Sequence, residues 1–537
     1  MKRLLATVLA LAMLLTLSAA FADGITEENG IKTVLNQVSG KVIKVATADA
    51  DLSAPIAPED NPWASFDTSE PVNLVFYVVG SDGEDHRKVI DMANQRMKQL
   101  INTTIEVCVI PLSDFQTKYP LVLAGGADCD IIMTHPYIGP FATQADNGAY
   151  MELTDEFLNT WLPETMKSQA PSSWKQALHK GKLYQIPRNE SDYDNTYGVV
   201  VRKDLREKYG IPEIKNIDDY EKYLYAVAEN EKDSGIYAMY TNPSSPMTLT
   251  FLTGPNNWMT VGNFYWDADN GTLNPDDLFI GTFTEEYRDY CHRMVEWAKH
   301  GVWPSNAITN VTHIKDLFND DKSASDICMY KSANEDIIRQ RAKGNDAEYF
   351  NIMPENASTR ISPYNYDALA ITAFCKNPER AGLAIDVMKN DSIITNLLQG
   401  GIEGVHYILG EDGSRSNGPD SEKYPWSGWA WCLRTQLNPS VGGILPEVLA
   451  IRAQFDANNI TMDRFPIDGF TFDTEGMEDI TATINSLSLE YSTSFDLGVF
   501  GDNTDAKLDE YIAQLKDAGY EQLLEACKTQ LKEFLAK

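Results

Sequence analysis

The chain alternates β-rich runs with helical patterns, and that alternation limits it to sheets covered by helices. Val72-Asn73-Leu74-Val75-Phe76-Tyr77-Val78-Val79 is the clearest strand signal, closed by the turn residues Gly80-Ser81-Asp82-Gly83. Apolar residues then recur at helical spacing over 86–100. A strand over 104–110, a helix over 119–124 and an apolar strand over 130–133 follow. Elements alternating at this pace predict a parallel sheet wound with helices on both faces. The middle of the chain repeats the pattern, with a strand over 197–201, helices over 203–209, 218–228 and 284–300, a strand over 369–374 and a helix over 378–389. Beyond about residue 475 the pattern turns helical, most clearly over 508–518 and 521–536. The expected class is α/β with an α-rich C-terminal third.

The first 22 residues predict a destination. Lys2 and Arg3 precede an apolar run over 4–17, and Ala20-Phe21-Ala22 supplies a small-x-small cleavage pattern that leaves Asp23 as the new terminus. The run is short of the roughly twenty residues a membrane-spanning helix needs, so a signal peptide over 1–22 and an exported protein are expected. From 23 to 70 the sequence is polar, acidic and Pro-containing, which reads as a lead-in or tether.

At 537 residues the chain exceeds one domain, and two or three lobes are expected. It carries 45 Lys and Arg against 78 Asp and Glu, a net charge of −33; loss of Lys2 and Arg3 with the signal peptide makes that −35. Such a charge repels nucleic acid and anionic lipid surfaces. The seven cysteines, Cys108, Cys129, Cys291, Cys328, Cys375, Cys432 and Cys527, form no CxxC pair, and the seven histidines form no HExxH. Buried free thiols are expected, and neither a metal nor a cofactor has sequence support.

Several segments, in order, resemble the extracellular solute-binding proteins of ABC importers, the family that includes maltose-binding protein. They are the passage Tyr119-Pro120-Leu121-Val122-Leu123-Ala124-Gly125-Gly126-Ala127-Asp128-Cys129-Asp130-Ile131-Ile132, the strand Gly181-Lys182-Leu183-Tyr184-Gln185-Ile186-Pro187, the strand Tyr197-Gly198-Val199-Val200-Val201-Arg202-Lys203-Asp204-Leu205 and the helix start Lys376-Asn377-Pro378-Glu379-Arg380-Ala381. Gly401-Ile402-Glu403-Gly404-Val405-His406-Tyr407, Gly469-Phe470-Thr471-Phe472-Asp473 and the closing helices resemble the lipoprotein-like oligosaccharide-binding branch found in Firmicutes. The resemblance implies a two-lobed periplasmic-binding-protein-like (type II) fold with hinge-crossing strands and a ligand in the cleft. On that pattern 71–196 begins the first lobe, completed by about 360–410, 197–359 forms the second, and 411–537 packs on the lobes as an α-rich region. It also implies an ABC permease as partner, a monomer, and a place outside the cell, or in the periplasm where the source has an outer membrane. One departure stands out: the run Ser18-Ala19-Ala20-Phe21-Ala22-Asp23 lacks the lipid-bearing Cys usual in Gram-positive members.

A sugar offers hydroxyls and an apolar face, so its site calls for planar aromatics and for carboxylates or amides. Residues of those types at strand ends and loops are the expected contacts. Ser81, Asp82 and Glu84 follow the first strand, and His135 and Tyr137 follow the strand over 130–133. Glu190, Asp194 and Tyr197 sit at the expected first crossing, with Trp258 in the second lobe. Asn334 and Glu335 follow a strand-like run, and Asn365 and Tyr366 precede the return strand. In Tyr424-Pro425-Trp426-Ser427-Gly428-Trp429-Ala430-Trp431, Trp429 and Trp431 share a face if the segment is extended. The alternatives are a secreted glycoside hydrolase, for which no pair of acids stands out, and a binding protein of the same fold for a peptide or other solute. Catalytic residues are not expected.

Overall fold

The computed structural model describes residues 24–36, 39–125, 128–136, 141–190, 193–194, 197–243, 245–312, 314–361, 364–425, 428–441, 445–460 and 463–536. The segment 1–22, expected from sequence to be a signal peptide, lies outside them. The chain divides into two compact units, Met1–Ser191 with Ser362–Gly443, and Asp192–Ile361 with Ile444–Lys537.

In the first unit a five-stranded sheet runs in the order Thr103–Ile110, Val72–Val79, Ile131–Thr134, Ala368–Ile371, Ile186–Pro187. The first three strands are parallel, as the alternation predicts. The strand Ala368–Ile371 enters antiparallel to both neighbours, because it returns from the other unit rather than through a crossover helix. Leu74, Phe76, Val78, Ile131, Ile132, Leu369 and Ile371 are buried in one core with Val89, Ala93 and Met97 of the helix His86–Ile101. Asn102 ends that helix in the left-handed conformation, at φ 48°. Its amide donates to Thr68 O at 2.9 Å, fixing the approach to the next strand.

The lead-in over 23–70 is not a tether. Thr26–Glu28, Ile31–Leu35 and Val42–Ala46 form an antiparallel sheet. Its apolar face, Val34, Ile43 and Val45, is buried against Tyr407 and Leu409. The few apolar residues of this acidic stretch fall at strand spacing and find a late segment of the chain, a pairing invisible to local composition.

The second unit has a three-stranded sheet, Ser325–Met329, Tyr197–Arg202, Ala347–Phe350, which is antiparallel throughout. Around it lie the helices Ile217–Asn230 and Glu285–Lys299, with Tyr220, Phe251 and Trp297 in mutual ring contact. The closing helices Glu478–Asp496, Thr504–Asp517 and Tyr520–Leu535 complete this core through Ile484, Phe495, Leu508 and Leu531. The C-terminal region therefore divides: 411–443 falls in the first unit and 444–537 in the second. All seven cysteines are free thiols, five of them buried. No helix among the described residues is long and apolar enough to cross a membrane.

Candidate functional site

Register brings three chain segments out of one sheet edge together. Thr134 pairs with Ala368, and Ala368 pairs with Pro187. His135, Asp367 and Arg188 therefore leave the first unit's sheet side by side, at the carboxyl ends of its parallel strands, where α/β folds take their ligands.

Arg188 and Asp367 are the anchor. Arg188 Nη1 donates to Asp367 Oδ2 at 2.8 Å, and each residue is 3% exposed. The Arg188 N–H donates to Asp367 O at 3.0 Å, and Gln169 Nε2 donates to Arg188 O at 2.7 Å. The Arg434 guanidinium also binds Asp367 Oδ2, and its Nη1 lies 3.4 Å from Glu190 Oε2. The Asn189 N–H donates to Arg434 O at 2.9 Å, so the same stretch that presents Glu190 holds the Arg434 backbone.

Aromatic rings sit on this frame. His135 lies 6.0 Å between centroids from Tyr366 and 6.3 Å, edge-on, from Trp429. Tyr366 ends the 3₁₀ turn Tyr364–Tyr366, whose Tyr364 N–H donates to Gln176 Oε1 at 2.7 Å. Burial, reinforced by the positive charge of Arg188, pushes His135 down to about 4. It is a neutral ring at pH 7, able to donate one hydrogen bond and accept another. The patch combines planar rings, a neutral imidazole and the carboxylate of Glu190.

The model of the bacterial extracellular solute-binding protein family matches residues 94–392, more than half of the chain. The chain belongs to this family. Residues 466–536 match a second model, a domain of unknown function. No curated protein matches the chain. Among solved structures, it is similar to the N-glycan transport solute binding protein NgtS of Streptococcus pneumoniae, with a TM-score of 0.72 at 17% identity over 87% of this chain and 100% of that one. It is also similar to an extracellular solute-binding protein of Bifidobacterium longum subsp. infantis, with a TM-score of 0.61 at 15% identity over 86% and 98%. The S. pneumoniae ABC-transporter substrate binding protein FusA, solved as an EF-hand mutant, gives 0.61 at 15% identity over 86% and 99%. These likenesses show the two-lobed α/β fold.

Within this solute-binding protein the other residues expected at the site take varied positions. Trp431 is a core residue, fully buried with its ring 5.8 Å from Phe76. The segment is not extended: Gly428–Trp431 is a 3₁₀ turn, and at three residues per turn positions two apart diverge, so Trp431 goes inward while Trp429 meets His135. Trp258 is likewise core, 8% exposed, with its ring 4.9 Å from Phe279 and 5.7 Å from Tyr265. Asn334 is a buried fastener whose Oδ1 accepts the Leu445 N–H at 2.8 Å. Glu335 pairs with Lys315 at 3.3 Å. Tyr197 begins the central strand of the second unit and packs against its core.

Ser81 and Asp82 are exposed on the loop after the first strand. Asp82 Oδ1 is 3.9 Å from His86 Nδ1. The loop passes so close to Lys423 that a Cβ at Gly83 would lie 2.4 Å from its carbonyl oxygen, so only glycine fits there. Glu84 lines a different feature, an open groove of about 580 Å³ shared with Ala48, Ala50, Arg87, Asp91 and Gln95. Asn365 is half-buried on the turn beside Tyr366. Asp194 pairs through its backbone with Arg360, and Tyr137 lies outside the described residues.

Sequence reasoning missed Arg188, Asp367 and Arg434 as site residues. Arg188 and Asp367 each border a recognisable strand signal, but that the strands are neighbours is a fact of topology. Arg434 follows the aromatic cluster by three residues and carried no local signal.

Proposed function

We propose that this protein is the solute-capturing component of an ABC importer and that its solute is a sugar, an oligosaccharide in particular. The observation that carries the reading is the His135, Tyr366 and Trp429 ring cluster set on the Arg188–Asp367–Arg434 frame. Rings bind the apolar faces of sugars, and Glu190 with neutral His135 serves hydroxyls. The similar structures accord with it: NgtS was solved with Man5GlcNAc, FusA with kestose, and a B. longum infantis protein is described as HMO-binding. On this reading the protein performs no chemistry. It is exported under its apolar leader, acts as a monomer, and yields its ligand to permease subunits.

Thermal unfolding of residues 23–537 against oligosaccharides, monosaccharides and peptides tests this. A ligand held only by the folded protein adds about 2.7 kcal/mol at a hundred times its dissociation constant. Stabilisation by one sugar class, with the sugar recovered intact, is the expected result. Stabilisation by peptides alone would overturn the sugar, and recovery of cleaved sugar would overturn binding without chemistry.

A further inference from the structure

A buried polar knot in the second unit is unexplained by sugar capture. The strand Ser325–Met329 places Asp326 and Cys328, two residues apart, on one face. The helix Tyr330–Ala342 follows directly and brings Asp336 opposite them. One oxygen of each carboxylate and Cys328 Sγ lie within 4.8 Å of one another, and all three residues are buried. Two carboxylates side by side in a protein interior are costly unless something positive or a donor meets them.

What meets them is incomplete. Asp326 Oδ1 and Oδ2 and Asp336 Oδ2 are buried without a hydrogen-bond partner. Asn319, from a different helix, Ile314–Asn319, supplies an independent sign. Its Nδ2 lies 3.4 Å from Asp336 Oδ1, and its Oδ1, in a residue only 7% exposed, is also buried without a partner. Lys315 Nζ stands 3.7 Å from Asp336 Oδ1.

Charge and donor counts favour a cation over a shared proton. A proton held between the carboxyls would tie one oxygen of each, and the Cys328 thiol would meet the remaining Asp326 oxygen, but Asn319 Oδ1 would stay unmet. Two carboxylates and a thiolate carry three negative charges. The Lys315 ammonium, shared with Glu335, offsets at most one, and a single divalent cation offsets two. The mixed sulfur and oxygen donors suit zinc, whereas calcium and magnesium take oxygen throughout.

We propose that Asp326, Cys328 and Asp336, with the Asn319 side-chain amide beside them, form a buried structural site for one divalent cation of the zinc type. Tetrahedral ligands at ordinary zinc distances sit about 3.5 Å apart, so the side chains draw together by up to about 1 Å on loading. The bound ion would pin the strand Ser325–Met329 to the helices that carry Asn319 and Asp336.

Cobalt reports on this site directly. The full mature chain, stripped with chelator, is titrated with Co²⁺ and then Zn²⁺ while absorbance and thermal midpoint are followed. The expected result is one equivalent of Co²⁺ with a thiolate-to-cobalt charge-transfer band, displaced by Zn²⁺, together with a raised midpoint. Cys328→Ser removes the band while leaving the other six cysteines in place, and Asp336→Asn weakens binding. If either variant fails to fold, the wild-type titration still decides through its band, stoichiometry and midpoint. A wild-type protein with no thiolate band and a midpoint indifferent to Zn²⁺ and chelator overturns the proposal, as does a band that survives Cys328→Ser.

Discussion

Arg188 and Asp367 form a buried ion pair at 2.8 Å between residues 179 positions apart, and the pair closes the edge of the sheet on which the aromatic patch stands. The guanidinium of Arg434 completes it from a third segment. The arrangement is a frame for the rings: its cations are already matched by carboxylates, which leaves rings and polar rims for a ligand.

Asp367→Ala should therefore act first on stability. Breaking a buried pair leaves an uncompensated charge and costs about 3–5 kcal/mol. Thermal or denaturant unfolding of the variant should show the first unit melting early while the second is unmoved. An unchanged first-unit transition would mean that Arg188 finds water or another carboxylate when Asp367 is lost.

The two tryptophans of one 3₁₀ turn should separate cleanly. Trp431→Ala removes a buried ring and should cost about 3–5 kcal/mol of stability. Trp429→Ala should leave folding nearly intact and weaken the bound sugar about tenfold, the equivalent of roughly 1.4 kcal/mol of ring contact. Calorimetric titration beside a melting curve on each variant checks both halves. A Trp429 variant that binds sugar normally would remove the ring cluster from the site.

Much of the fold was legible because its signals are local. The runs at Val72–Val79 and Tyr197–Arg202 and the helices His86–Ile101 and Glu285–Lys299 declare themselves by period alone. The strand Ala368–Ile371 was legible too, but its antiparallel direction depends on the chain returning from elsewhere. At the candidate site, strand-end position singles out His135 and Tyr366, which the structure brings together with Trp429. Trp431 and Trp258 were not distinguishable from ligand platforms, because an aromatic residue reads the same in a core and in a site. Asp326, Cys328 and Asp336 have no motif spacing, since only the packing of a strand against the next helix makes them neighbours.

The N-terminal strands give a sharp test of that packing. Deleting 23–47 would change little if the segment were a tether. It instead contributes Val34, Ile43 and Val45 to a buried cluster, and Lys32 Nζ lies 2.6 Å from the buried Glu403. Burying each of those side chains contributes about 1.5–3 kcal/mol, and removing Lys32 strands the Glu403 carboxylate. The deletion should lower the first unit's melting midpoint by many degrees and expose Tyr407 and Leu409 to dye binding.

Two titrating groups should move the two units in opposite directions with pH. His135 in the first unit is lowered from 6.5 to about 4, chiefly by burial. Its stabilising contribution is full above pH 6.5 and is lost as pH falls toward 4, because the unfolded chain then binds a proton that the folded ring refuses. In the second unit, burial raises Asp496 from 3.8 to about 6, against hydrogen bonds from Tyr290 at 2.7 Å and Thr248 at 3.2 Å. A raised carboxyl works the other way: its contribution is full below pH 3.8 and is lost as pH climbs through 6. Each swing is at most about 3 kcal/mol, so whole-chain unfolding could mask both while the separate transitions do not. Between pH 4 and 7 the difference in midpoint between wild type and His135→Gln should grow in favour of the wild type. Over the same range the difference between wild type and Asp496→Asn should grow in favour of the variant. Differential scanning calorimetry at half-unit pH steps reads both, and parallel pH profiles for a variant and the wild type would remove that group from the account.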